Sequence, residues 1–377
     1  MIAGGGTGGH VYPGIAMYNA LKRASERVDV LFVGAKAGVE DRIFADLGLP
    51  HVLLPGRGIR GTGIFNKLGS PFVLLVGILR GIGEVLAFDP DVVVGTGGYA
   101  SVAVVAASAL CRRRRVIQEQ NSVPGMANRF LSRFADLVLL SYEESKAFID
   151  RRAPAFVVGN PIRVVARNDR RSGLEFFGFD PARPTVLICG GSRGARTINQ
   201  AARTAIPSIV ERQNAQFVFL AGESDFEAIK GELGRFGPSV RVFPFLQEMH
   251  HAYSVADIAV SRAGASAVFE LAAFGVPTVF VPYPFAADDH QKKNVAHLSD
   301  IGAAVVVENG ALDAGRLSAV VESLLGDKET REKMSREMKA WAKPDADDRA
   351  AEKIIELVSK RGRAGARKGT VSSGVLA

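Results

Sequence analysis

The chain has 377 residues, 47% hydrophobic and 23% charged, an ordinary globular balance and enough length for two domains with separate cores. Its net charge of +8 is partly a tail effect: Lys360, Arg361, Arg363, Arg367 and Lys368 follow Ser359 with no acid among them, and setting those five aside leaves +3. That argues against a nucleic-acid-binding body, as does the lack of an aromatic-rich basic strand. Two cysteines, Cys111 and Cys189, are too few for a disulfide framework and fit a reducing cytoplasm.

Only Met1-Ile2-Ala3 precedes the first glycine loop, Gly4-Gly5-Gly6-Thr7-Gly8-Gly9-His10, and a helix-like run follows from Ile15. No signal peptide is expected before that loop. A buried parallel strand usually takes about five or six residues, so either the first strand is short or the chain has lost residues at its start. Strands are predicted at Val28–Gly34, His51–Leu54, Asp91–Gly95, Arg115–Glu119 and Leu137–Leu140, with a short helix at Glu40–Leu47. A second series begins with a strand at Thr185–Cys189, the loop Gly190-Gly191-Ser192-Arg193-Gly194-Ala195 and a helix at Thr197–Ala205. Strands follow at Gln216–Leu220, Val240–Phe243, Ile258–Ser261, Thr278–Val281 and Ala304–Val307. Alternation of this kind predicts an α/β protein with two Rossmann-like domains of parallel sheet, residues 1–160 and 161–344, facing a central cleft. A helix at about 345–360 is expected to return to the first domain, and 361–377 to form a disordered tail.

Between Asp46 and Glu84 there is no acid, whereas Arg57, Arg60, Lys67 and Arg80 are basic. Within this stretch Leu68–Leu79 is a 12-residue apolar run, short of the roughly 20 residues that span a bilayer. Two readings stand: a patch on an anionic leaflet formed by Phe72, Leu74, Leu75 and Ile78 with Lys67 and Arg80, or a buried core helix.

Gly4-x-Gly6-x-x-Gly9 matches the dinucleotide fingerprint, but the second strand ends Val33-Gly34-Ala35-Lys36 without the ribose-binding acid. Other candidates are the turn Gly95–Ser101, the polar strand end Gln118–Asn121, the Ser192 loop, and Ser261–Glu270 followed by Asp288–Asn294. Small residues open a helix at Ala265, and Glu270 one turn later is a candidate acceptor for two ribose hydroxyls. Asp288-Asp289 has no companion at metal-ligand spacing, so no metal is expected. Two glycine loops, a ribose-type carboxylate and His10 suit glycosyl transfer from a nucleoside-diphosphate sugar, with the histidine deprotonating the acceptor hydroxyl.

Five motifs taken in order, Gly4–Gly14, Glu119-Gln120-Asn121, Gly159–Arg163, Gly190–Ala195 and Ser261–Glu270, resemble the MurG family of bacterial N-acetylglucosaminyltransferases. The resemblance implies a GT-B fold and inverting, metal-independent transfer from UDP-N-acetylglucosamine to the 4-hydroxyl of the muramoyl sugar of undecaprenyl-linked lipid I. No cofactor is implied. It further implies peripheral binding to the anionic cytoplasmic face of the cell membrane, with cell-wall and division proteins as candidate partners. By the same resemblance His10 is the candidate base. Thr7, Gly8, Gly9, Asn121 and Gln291 approach the donor, Arg163 and Ser192 its diphosphate, and the backbone near Leu246 its uracil. Ala265, Ser266, Ala267, Val268, Phe269 and Glu270 contact diphosphate and ribose. Gln118 stands where the family usually has His, and Arg193 where glutamine is common. Rival readings are the same fold acting on another lipid acceptor, an epimerase, and a non-catalytic nucleotide-binding scaffold.

Overall fold

The computed structural model describes residues 1–36, 38–55, 64–162, 169–191 and 195–366. Two compact units result, one of Met1–Arg163 plus the segment returning from Asp345, the other of Val164–Pro344.

The first unit holds β1 (Ile2–Gly4), β2 (Phe32–Ala35), β3 (His51–Leu54), β4 (Val92–Gly97), β5 (Arg114–Glu119), β6 (Leu137–Leu140) and β7 (Ala155–Val157). All pair in parallel, in the order β3-β2-β1-β4-β5-β6-β7. Its helices are α1 (Gly8–Ala24), α2 (Glu40–Asp46), α3 (Ile64–Phe88), α4 (Gly98–Leu110) and α5 (Met126–Leu131). The second unit holds β8 (Thr185–Cys189), β9 (Gln216–Leu220), β10 (Val240–Phe243), β11 (Ile258–Ser261), β12 (Thr278–Phe280) and β13 (Ala304–Val306). Their order is β10-β9-β8-β11-β12-β13, again parallel. Around it lie α6 (Arg170–Phe177), α7 (Arg196–Gln213), α8 (Phe226–Leu233), α9 (Met249–Val255), α10 (Ala265–Phe274), α11 (His290–Asp300), α12 (Ala314–Gly326) and α13 (Lys328–Trp341). The last helix, α14 (Ala346–Ala366), belongs to the first unit.

Both faces of each sheet are covered, which is why the strands read as apolar runs. In the first unit Met17, Phe32 and Val116 pack with Ala350 and Ile354 of α14 on one face, while Val33, Val93 and Ile117 pack with Val85 of α3 and Val104 of α4 on the other. The second sheet is likewise enclosed by two apolar clusters. Asp169, Asp313 and Asp327 cap α6, α12 and α13 by accepting the N–H of Ser172, Arg316 and Thr330, each cap contributing about 1 kcal/mol.

Several elements differ from expectation. β2 begins at Phe32, not Val28, because β1 offers only Ile2 and Ala3 for pairing, opposite Phe32 and Val33. Val28 and Val30 pack on the core unpaired. The helix around the apolar run is 25 residues long. Its surface divides: Leu74 and Ile78 pack against the core, whereas Phe72, Leu75, Leu79 and Leu86 are exposed. The side chain of Lys67 lies outside the described residues. Among the described residues no helix is long and apolar enough to cross a membrane. The tail expected from Arg361 starts too early, since α14 continues to Ala366; 367–377 lie outside the described residues.

The returning helix is pinned by Arg23 at the end of α1, which reaches Asp347 at 2.7 Å and Asp348 at 2.8 Å. Burial pushes the Asp347 carboxyl up, and the hydrogen bond from Arg23 opposes that shift. A carboxyl raised in the folded state stabilises fully only below its unfolded pKa, and that contribution is lost as pH rises through the folded value. Arg23→Ala is therefore expected to cost about 2 kcal/mol at pH 7, between the values for exposed and buried pairs, and less at pH 4. Thermal unfolding of both chains at the two pH values checks this; an equal loss at both would contradict it.

Candidate active site

In an open parallel sheet, ligands sit beyond the carboxyl ends of the strands where the strand order reverses. That reversal falls between β1 and β4 in the first unit and between β8 and β11 in the second. The glycine turns after β1, β4 and β8 and the Ser261–Ala265 segment after β11 all stand at these two points.

At the first reversal the loop is tied inward. Gly5 N donates to Gly97 O at 3.2 Å, and Gly6 N donates to Glu40 Oε2 at 2.9 Å. Glu40 is fully buried, and its Oε1 accepts the Ala35 N–H at 2.9 Å. The Gly4–Gly6 half thus spends amides on its own scaffold and does not cradle a phosphate as a dinucleotide loop would. Gly8 and Gly9 form the first turn of α1, after an extended Thr7 whose side chain caps nothing; first-turn amides have no intrahelical acceptor.

His10 follows directly. Its Nδ1 lies 2.9 Å from Gly5 O. A carbonyl oxygen only accepts, so Nδ1 carries a proton, and in the neutral ring the lone pair is on Nε2. Thr96 Oγ1 donates to His10 O at 2.7 Å. The ring lies against Gly97, where an added Cβ would come within 2.9 Å of Cδ2 and where φ is +113°. A side chain at 97 would meet both strain and collision.

Asn121 stands at the end of β5 beside the buried Glu119. Glu119 Oε1 accepts from Asn121 N at 2.9 Å and from Asn121 Nδ2 at 3.2 Å; Oε2 accepts from Asn128 Nδ2 at 2.8 Å. Gln120 Nε2 donates to Thr96 O at 2.6 Å, joining this loop to the β4 turn. Gln118, buried, donates to Asn160 Oδ1 at 3.3 Å.

In the second unit α10 opens at Gly264 without a side-chain cap. The small Ala265, Ser266 and Ala267 line its first turn, and Ser266 Oγ is buried with no hydrogen-bond partner among the described residues. An orphaned hydroxyl beside free-ended helix amides is what an anionic oxygen would satisfy. Val268 and Phe269 do not present their side chains there: both are buried, Phe269 with its ring 4.7 Å from that of Trp341. Any ligand contact at these two is through backbone. Glu270, one turn on, accepts the Tyr253 hydroxyl at 2.7 Å. A carboxylate has several lone pairs, so this bond aims the group without exhausting it. Leu246 is buried and leaves only its backbone for a ligand. Gln291 Oε1 accepts Tyr283 N at 2.9 Å, turning its NH2 the other way. Arg163, Ser192 and Arg193 lie outside the described residues.

The sequence gives no role to Glu40 or Tyr253, and singles out Thr96 and Glu119 only as members of the stretches Gly95–Ser101 and Gln118–Asn121. Glu119 lies inside a noted motif, but an acid at a helix start, such as Glu40, reads as dipole-favoured surface.

Glycosyltransferase family 28 models match this chain twice, the N-terminal domain over residues 1–140 and the C-terminal domain over 185–350. It is 38% identical over 361 residues to a UDP-N-acetylglucosamine–N-acetylmuramyl-(pentapeptide) pyrophosphoryl-undecaprenol N-acetylglucosamine transferase of Chlorobaculum tepidum, covering 95% of this chain and 98% of that one. The protein of the same name from Lactiplantibacillus plantarum is 37% identical, with 96% and 99% covered. The crystal structure of Acinetobacter baumannii MurG superposes with a TM-score of 0.74 at 28% identity, covering 94% of this chain and 98% of that one. A UDP-N-acetylglucosamine 2-epimerase, 14% identical with a TM-score of 0.66 over 100% of this chain and 98% of its own, shares the fold alone. With two GT-B-type parallel-sheet units and these relatives, the chain belongs to glycosyltransferase family 28 and, within it, to the MurG family.

Proposed function

We infer that the chain transfers N-acetylglucosamine from UDP-N-acetylglucosamine to undecaprenyl-diphospho-muramoylpentapeptide, lipid I, forming lipid II. The observation that carries the mechanism is the 2.9 Å contact of His10 Nδ1 with Gly5 O, which commits an Nδ1 proton to that carbonyl and leaves Nε2 of the neutral ring as the base. That base takes the proton of the muramoyl 4-hydroxyl as its oxygen attacks C1 of the donor sugar. The α10 N-terminus, Ser266 and the Ser192 loop stabilise the departing diphosphate. Glu270 holds the ribose hydroxyls, the Leu246 backbone the uracil, and Arg163 the diphosphate region. Thr7, Gly8, Gly9, Asn121 and Gln291 position the N-acetylglucosamine. No resident cofactor enters this scheme; the donor is a substrate. The testing experiment is UDP release from the donor with a soluble lipid I analogue against release with diacylglycerol. The inference requires release only with the former, and equal turnover of both would overturn it.

The protein is proposed to act peripherally at the cytoplasmic face of the cell membrane, through the outward face of α3. Phe72, Leu75, Leu79 and Leu86 recur at helical spacing on that face, and Arg80 is exposed nearby. Burying such a side chain contributes on the order of 1–2 kcal/mol, so the triple change Phe72→Ser, Leu75→Ser, Leu79→Ser should weaken binding to anionic vesicles at least about ten-fold. Turnover of the soluble acceptor should stay within about two-fold, since none of the three supports the core; unchanged vesicle binding would remove the patch. Cell-wall and division proteins at the same membrane are candidate partners.

A further inference from the structure

Gly5 O, which accepts from His10, and Gly6 N, which donates to Glu40, belong to one peptide unit. The sequence of contacts is therefore Glu40 Oε2 to Gly6 N–H at 2.9 Å, through the peptide, then Gly5 C=O to His10 Nδ1–H at 2.9 Å. We propose that Glu40 is a positioning residue for the transfer: a buried carboxylate that orients and supports His10 through the single Gly5–Gly6 peptide. The proposal rests on the reading of His10 as the base.

Two observations and one physical argument support it. Glu40 is a fully buried acid that makes no ion pair among the described residues and is held by two backbone amides, of Gly6 and Ala35. Leaving such a charge in the interior is costly. The surroundings are also shaped for it. An added Cβ at Gly34 would stand 2.6 Å from Glu40 Cγ, and one at Gly5 or Gly38 would collide with the carboxylate itself. Finally, an anion at the N–H end of a peptide polarises its carbonyl, and hydrogen bonds in series strengthen one another.

The consequence falls on the reaction. As the acceptor hydroxyl surrenders its proton to Nε2, the imidazole becomes positive in the first turn of α1, whose N-terminal partial charge repels it. A carboxylate one peptide away offsets that repulsion and holds the ring in the Nδ1–H tautomer. A carboxylate bound directly to a histidine serves the same purpose in hydrolytic triads; here a peptide stands between the two.

Glu40→Gln preserves the volume and removes the charge. It is expected to lower kcat about ten-fold or more on the soluble acceptor, with donor KM held within about two-fold. In a His10→Ala background the same change should lower the residual rate by less than about two-fold, because the group through which it acts is gone. A merely structural role would multiply the two losses, and that result, or an unchanged kcat in the single variant, overturns the proposal. If Glu40→Gln does not fold, nitrogen NMR of the His10 ring in the unaltered chain decides: Nδ1–H supports the proposal and Nε2–H overturns it. An active His10→Ala chain would instead remove the base reading itself, whichever tautomer the ring shows.

Discussion

His10→Ala is expected to lower kcat with a soluble lipid I analogue by about a thousand-fold, within the range that general bases contribute, while leaving donor KM nearly unchanged. The split follows from position. His10 hangs from the inward-tied half of the loop, on Gly5 O and the Thr96 hydroxyl, whereas Leu246, Ser266 and Glu270, proposed to hold uracil, diphosphate and ribose, lie in the second unit. Alanine removes the proton acceptor and leaves the Thr96 bond to the main-chain oxygen. Steady-state rates with donor and acceptor varied separately check this. A fall in donor affinity with kcat preserved would make His10 a binding residue.

Glu270→Ala is expected to show the opposite pattern, weakening donor binding by about 1–3 kcal/mol, or roughly 5- to 150-fold. Part of that cost belongs to the protein, because Tyr253 loses the acceptor its hydroxyl meets at 2.7 Å. Tyr253→Phe separates the contributions: it keeps the carboxylate and removes only the bond that aims it, so its loss should be the smaller of the two. Titration of UDP against the three chains measures both. Equal UDP affinity in all three would end the ribose assignment.

Much of this was legible in the residues, and the exceptions have physical causes. β3, β6, β8, β9, β10 and β11 fall where apolar runs between turn residues place them. β7 was missed because Ala155–Val157 is three residues long, too short for a periodic signal. Strand order was not readable, since parallel neighbours are chosen by packing and crossover connections; yet that order puts the glycine turns at the two reversals. The apolar run around Leu74 could not be divided into inner and outer faces until a helix of 25 residues fixed the angle of each side chain. Leu74 and Ile78 then pack on the core, and Phe72 and Leu75 are left exposed. Motif spelling likewise grouped Val268 and Phe269 with ligand contacts, although their side chains complete the interior. Glu40 escaped because its partner amides are 5 and 34 residues away, and backbone partners leave no trace in side-chain patterns.

Transfer is proposed to be a single displacement in which one base, His10, activates the acceptor and no covalent sugar–protein intermediate forms. One displacement inverts the anomeric centre, and the donor's sugar is α-linked to its diphosphate. Proton NMR of the disaccharide made from UDP-N-acetylglucosamine and the soluble lipid I analogue reads the new linkage directly. Single displacement requires a β linkage to the muramoyl 4-oxygen; an α linkage would contradict it.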